Sequence, residues 1–275
     1  MKIRPVFSFF VAMVVCAFTL NVYSQKETLQ PLKLVDCHTA GMLSRGYYAF
    51  GCQTYPNGNQ SVSGSGVTLS FLAALTDRIN IGIGYGGDGF IGREMPRFNP
   101  HIGAIFKFRI IEESYFMPAF AIGYDHQGSG GIDIDYNGYV YKSPGFFLAM
   151  SKNYLFLTAL QVGLHGGLNY SFEENETIKW PNVYGGIDVG FNEKCTVALE
   201  YDCALNAKDA GSDSLHSTYA NPLKGYLNFG VRWFVTTAFC IELDVKDMLQ
   251  NKILLSGERI GWGRELKLTY IGKMF

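Results

Sequence analysis

Hydrophobic and polar positions alternate along most of this chain with a period of two. From Ile79 to Tyr85, the residues Ile79, Ile81, Ile83 and Tyr85 fall on one side, and Asn80, Gly82 and Gly84 on the other. The same beat sets Val197, Leu199 and Tyr201 against Thr196, Ala198, Glu200 and Asp202. It sets Leu227, Phe229, Val231 and Trp233 against Asn228, Gly230 and Arg232, and Phe239, Ile241, Leu243 and Val245 against Glu242, Asp244 and Lys246. Strands are therefore expected over Tyr47 to Tyr55, Val62 to Ala74, Ile79 to Tyr85, Phe98 to Ile110, Tyr115 to Tyr124 and Tyr139 to Met150. Six more follow over Tyr154 to Phe172, Val183 to Phe191, Cys195 to Leu205, Leu223 to Phe234, Ala238 to Lys246 and Trp262 to Ile271.

The connections come in two kinds that take turns. Thr76 to Arg78, Ile111 to Ser114, Ser151 to Asn153, Asn192 to Lys194 and Val235 to Thr237 are short, and the segments between them are long. Short turns at one end, long loops at the other and about twelve strands predict an all-β fold, a single antiparallel transmembrane β-barrel with periplasmic turns and extracellular loops. A Lys or Arg facing lipid at mid-depth costs roughly 2 to 4 kcal/mol, so the charged faces are expected to line the lumen. That assigns Lys107, Arg109, Asp188, Glu200, Asp202, Arg232, Glu242, Asp244 and Lys246 to the interior, where charges of both signs suit a packed, ion-paired lumen or a narrow polar path.

The chain ends change this picture little. Lys2 and Arg4 precede an apolar run from Val6 to Leu20 that finishes in Val22-Tyr23-Ser24, the pattern of a secretory signal peptide over residues 1–24. Residues 25–45 form a leader without clear periodicity, expected in the periplasm, and 46–275 the barrel. No later stretch has the length of apolar sequence that a spanning helix needs. With 32 Gly, 17 Tyr, 21 Phe and only 17% charged residues, composition favours a membrane barrel over a soluble enzyme. A net charge of -1 without a basic block excludes the electrostatic footprint of a nucleic-acid binder. Outer-membrane lipid is the expected surrounding, and Cys37, Cys52, Cys195, Cys203 and Cys240, an odd set once Cys16 leaves with the signal, suit small wall residues.

Few constellations could carry chemistry. His165, Asn169 and Ser171 share a face and resemble the polar set of outer-membrane phospholipases, but His165 has the inward parity, away from lipid; polar lumen residues are the plainer reading. Asp133-Ile-Asp135-Tyr-Asn137-Gly138 opens like a calcium loop, yet Pro144 stands where the closing Glu belongs, and Asn137-Gly138 is equally a type I′ hairpin turn. Asp88, within Gly86-Gly87-Asp88-Gly89, lies in a Gly-rich loop that lacks the Lys-Ser/Thr of a phosphate site. No catalytic residue, metal site or cofactor is expected.

Several short segments carry a resemblance: Asp36 to Gly46, Leu75-Thr76-Asp77-Arg78 followed by Gly86-Gly87-Asp88-Gly89-Phe90-Ile91-Gly92, and Asn99-Pro100 leading to Ile111-Glu112-Glu113. With Lys142-Ser143-Pro144-Gly145-Phe146, Ser151-Lys152 and Gly167-Leu168-Asn169-Tyr170-Ser171, the chain resembles the YjbH-type outer-membrane family associated with exopolysaccharide biosynthesis. The resemblance implies an outer-membrane barrel that works with export proteins in secreting or organising extracellular polysaccharide, and brings no catalytic residues. The terminal Phe275 resembles the signal read by the barrel-assembly machinery.

Overall fold

The computed structural model describes residues 30–56, 64–92, 95–133, 138–141, 143–156, 160–173, 180–191, 194–206, 218–220, 224–254, 259 and 261–274. Twelve antiparallel strands form the wall: β1 (Tyr47–Pro56), β2 (Gly64–Thr76), β3 (Ile79–Gly92), β4 (Gly103–Ile111), β5 (Ala119–Asp125) and β6 (Gly145–Phe156), then β7 (Leu160–Tyr170), β8 (Asn182–Phe191), β9 (Cys195–Asp202), β10 (Tyr226–Phe234), β11 (Phe239–Lys246) and β12 (Gly263–Lys273). Each pairs with its neighbour in sequence, and β12 returns to β1 with register from Tyr47 opposite Lys273 to Thr54 opposite Leu266. The sheet is thus closed, and the barrel has no free edge.

The alternation seen in the sequence becomes two faces. Ile81, Ile83, Phe71, Ile122, Leu148, Leu199 and Leu243 point outward and remain exposed, Leu243 at 59%. Asn80, Asp125, His165, Glu200 and Lys246 point inward and are at most 1% exposed. The wall is therefore apolar outside and polar inside, the inverse of a soluble domain.

Several boundaries differ from the sequence expectation: β5 starts at Ala119 and not Tyr115, β6 at Gly145 and not Tyr139, β7 at Leu160 and not Tyr154, and others have a local reason. β3 continues through the Gly-rich stretch to Gly92 instead of opening into a loop at Gly86. A Cβ on Gly86 would stand 2.3 Å from the Val67 carbonyl oxygen, and one on Gly87 2.0 Å from that of Arg97, so these glycines allow close backbone approach in a sheet. The expected turn Ser151 to Asn153 lies inside β6, because Ser151 and Asn153 are inward positions of a polar lumen and Leu160 pairs with Phe156. In the short hairpin on the long-loop side Asp133 pairs with Gly138, and residues 134–137, with Asp135 and the Asn137 of the expected turn, lie outside the described residues. Pro100, which has no N–H to donate, separates β4 from the two-residue strand Arg97–Phe98 that pairs with β3.

That short strand, the hairpin of Ser129–Asp133 with Gly138–Tyr141, and the pair Thr218–Ala220 with Lys252–Leu254 all stand on the side of the long connections. The hairpin is fastened by Glu173, which accepts hydrogen bonds from the backbone N–H of Tyr139 at 3.0 Å and of Ser143 at 2.5 Å.

Candidate functional site

The described part of the leader, Gln30 to Gly46, stands inside the barrel and not outside its turns. It forms a finger that rises into the lumen and returns to the same rim. Gln30 donates to Glu113 on the short-turn rim at 3.3 Å. The chain then climbs to a tight turn in which Leu34 N–H donates to the Cys37 carbonyl at 2.8 Å, just inside a bridge between Lys33 and His38. It descends to Arg45, whose N–H donates to Asp77 Oδ1 at 2.8 Å, and enters β1 through Gly46, whose φ of 77° suits only glycine comfortably. Leu34, Val35, Thr39 and Ala40 are at most 1% exposed.

Glu200 of β9 holds the fingertip. Its Oε2 accepts from three successive N–H groups, Val35 at 3.0 Å, Asp36 at 2.9 Å and Cys37 at 2.8 Å, while Asn228 donates to Oε1 at 2.8 Å. A fully buried carboxylate needs such donors, and hydrogen bonds to a charged group contribute about 1.5 to 3 kcal/mol. Asp125 of β5 forms the second anchor, pairing with Lys33 Nζ and His38 Nε2, both at 2.8 Å. The His38 ring stacks on Phe147 at 4.0 Å between centroids, and Tyr184 donates its hydroxyl to the His38 carbonyl at 2.9 Å. Burial, together with the nearby Lys33 ammonium, depresses the His38 pKa to about 3 against the pull of Asp125, so the ring is neutral where it docks.

A cationic wall from β10 to β12 takes the other side. Lys246 pairs with Asp36 of the finger at 2.6 Å and with Glu265 at 2.9 Å, and Lys267 pairs with Asp244 at 2.6 Å and donates to the Val35 carbonyl at 2.7 Å. Arg232 grips Glu242 through Nε at 2.6 Å and Nη2 at 3.0 Å, and donates to the Lys33 carbonyl at 2.8 Å. Burial alone would raise the Asp36 pKa, but Lys246 and Lys267 outweigh it and hold the carboxyl below its usual range.

A third contact is a buried relay. Ala40 N–H donates to Ser151 Oγ at 2.8 Å, Ser151 lies 2.7 Å from His165 Nδ1, and His165 Nε2 lies 2.5 Å from Asp188 Oδ1. The imidazole thus bridges the Ser151 hydroxyl and the Asp188 carboxylate. Gly163 makes room for it, since a Cβ there would stand 2.2 Å from Asp188 Oδ1. Ser151 and His165 are 1% exposed beneath the finger, and this Ser-His-Asp set anchors Ala40.

Of the residues expected in the lumen, Lys107, Asp188, Glu200, Arg232, Glu242, Asp244 and Lys246 are all buried there. Lys107 donates to the finger at the Leu32 carbonyl, 3.2 Å away. Asp202 accepts from Asn182 Nδ2 and the Ala204 N–H, each at 2.7 Å, near the long-loop end. Arg109 lines the cavity at the short-turn rim, donating to the Asp77 carbonyl at 2.9 Å. Asp88 is a half-buried position on β3, and Asp133 ends a short loop strand. His165 does not meet Ser171, whose hydroxyl lies 3.3 Å from that of Ser143. Among the described residues no group of His, Cys, Asp and Glu is placed to hold a metal ion, and the five described cysteines are free thiols.

The finger does not fill the lumen. A cavity of about 1430 Å³ remains beside it, lined from Asp77 and Lys273 at one rim to Pro144 and Asn206 at the other. Amides and hydroxyls such as Gln53, Thr68, Ser70 and Asn169 line it between the charged groups.

No family model and no curated protein sequence matches the chain. Solved structures do resemble it loosely. The KdgM porin is 12% identical over 82% of this chain and 98% of that one, with a TM-score of 0.45. The NanC porin is 8% identical over 82% of this chain and 100% of that one, at 0.46. The COG4313 outer membrane channel from Pseudomonas putida F1 is 11% identical over 84% and 97%, at 0.45. The closed twelve-strand architecture rests on this chain's own strand register.

Proposed function

We propose that this chain is a non-enzymatic outer-membrane barrel that takes part in export or surface organisation of an extracellular polysaccharide, with a lumen that its own finger keeps narrowed at rest. The observation that carries the reading is the pairing of an apolar outer wall with a polar, partly open lumen. An outward band of Ile, Leu and Phe is stable in hydrocarbon and costly in water, which supports a membrane location. Amide and hydroxyl groups along the cavity offer the donors and acceptors that sugar hydroxyls require. The finger's hydrogen bonds and ion pairs are contacts that water and an incoming polar chain can replace.

The polysaccharide itself is supported by the resemblance carried by the short segments in the first two-thirds of the chain. Deleting the gene, with a plasmid copy as control, and measuring polymer in the medium, on the surface and in the periplasm tests it. Lower surface polymer with periplasmic build-up is expected. Three unchanged pools overturn the export reading.

A further inference from the structure

We infer that the lumen, once the finger withdraws, is a site for cationic, hydrogen-bond-donating ligands, amine-bearing saccharides or simple cations, and disfavours chains bearing uronate or sulfate. The inference rests on the gated-lumen reading above and adds the charge class of what passes.

The finger is a resident ligand, and its contacts show what the wall accepts. It presents an ammonium group and an imidazole to Asp125, and three amide N–H groups to Glu200. Both carboxylates are fully buried, and among the described residues neither has an ion-pair partner on the wall. Withdrawal leaves both without those donors. The wall cations differ: Lys246 keeps Glu265, Lys267 keeps Asp244, and Arg232 keeps Glu242 in a two-point grip. Lys152 lies 3.7 Å from Glu113. Lys107, whose finger contact is the Leu32 carbonyl, sits diagonally from Asp125 across the β4–β5 pairing, and the wall donor that Asp125 keeps is the Gln127 N–H at 2.9 Å.

An emptied lumen therefore carries its unmatched negative charge deep inside, at Asp125 and Glu200, whereas Arg109, Lys252 and Lys273 line the cavity toward its rims. Glu200 and Asp202 on β9 and Asp188 on β8 mark one side of it, facing the neutral polar side of Gln53, Thr68 and Ser70 across the cavity. Buried carboxylates that keep a neutral donor but lack a counter-charge attract cations strongly in a low-dielectric wall, and rings of Asp or Glu make pores cation-selective.

Full-length protein in planar bilayers under a KCl gradient gives the test, with Val35→Pro as the opening variant, because proline removes one Glu200 donor and distorts the fingertip turn. Folding is verified by the shift in gel mobility on heating. Conducting events with K+ favoured over Cl− by about threefold or more are expected, falling toward one in the Val35→Pro, Asp125→Asn, Glu200→Gln chain. Glucosamine oligomers should block this current more strongly than their N-acetylated counterparts, and stronger block by oligogalacturonate overturns the inference. If K+ is selected but neither oligomer blocks, simple cations are the ligand and the site stands. Conductance without cation preference overturns the inference and leaves the gated lumen intact. Absence of conductance from folded wild-type and Val35→Pro protein alike overturns the gated-lumen reading with it.

Discussion

The wall and the finger inside it are built on opposite rules. In the wall, each residue's side is fixed by its parity within a strand, and the partners of a strand are its neighbours in sequence. In the finger, no periodicity operates, and Val35 meets Glu200 from 165 positions away. The wall tolerates substitution as long as the face is respected, whereas the finger depends on particular atoms. Hydrophobicity thus shapes this barrel, and buried polar chemistry holds the finger inside it.

Substitutions can break that contrast. The largest effect is expected from Arg232→Ala, which strips Glu242 of its two-point partner inside the wall and costs about 3 to 5 kcal/mol, read by urea unfolding in micelles. A loss under about 1 kcal/mol would show that Lys267, 3.6 Å from Glu242, carries the carboxylate alone. Next comes Leu199→Arg, on the outer face between Ile187 and Phe229, which should cost roughly 2 to 4 kcal/mol in lipid, while the lumen-facing neighbour Ala198→Ser costs far less. Equal costs would break the two-faced account of the wall.

Glu200→Gln targets the finger without touching wall hydrophobicity. It should weaken docking by about 1.5 to 3 kcal/mol and leave barrel unfolding nearly unchanged. The measurement is maleimide labelling of Cys37, buried in the docked finger, in a chain whose other cysteines are serine; a rise of about tenfold or more is expected. Acid sharpens the same point. The docked His38 pKa of about 3 lies below its ordinary value of 6.5, so the withdrawn finger binds the extra proton. Docking stability is complete above about pH 6.5 and declines as pH falls toward 3, by up to about 1.4 kcal/mol per unit. Normalised to the labelling rate of the unfolded chain at each pH, which removes the thiolate's own titration, Cys37 accessibility should therefore rise between pH 7 and pH 5, and His38→Gln should flatten that rise. The smallest effect is reserved for Ser171→Ala, which should leave lipid composition unaltered; lost lipid hydrolysis would favour an enzyme instead.

Much of the wall was legible in the sequence because parity is a local property. Lys246 and Glu200 could be assigned inward from their own strands alone. Strand ends were harder: Ser151-Lys152-Asn153 has turn-like composition, but Ser151 meets His165, and Lys152 donates to the carbonyls of Ser114 and Tyr115. Polar residues inside a strand cannot be told from a turn until the lumen is known to be polar. The Ser151-His165-Asp188 relay escaped for the same reason, since its members come from three strands and only the register aligns them.

The amino-acid sequence by itself determined the class of fold, the sense of each strand's two faces and the alternation of short and long connections. Those follow from side-chain period and from the cost of charge in hydrocarbon, which act over a few residues at a time. Only the tertiary structure decided that residues 30–46 occupy the lumen, and which carboxylate each of their donors meets. The finger's N–H groups and Lys33 could find partners in water as well as in the barrel. Closing the wall is what brings Glu200, Asp125, Lys246 and Lys267 around one space, where desolvation makes the finger their best partner.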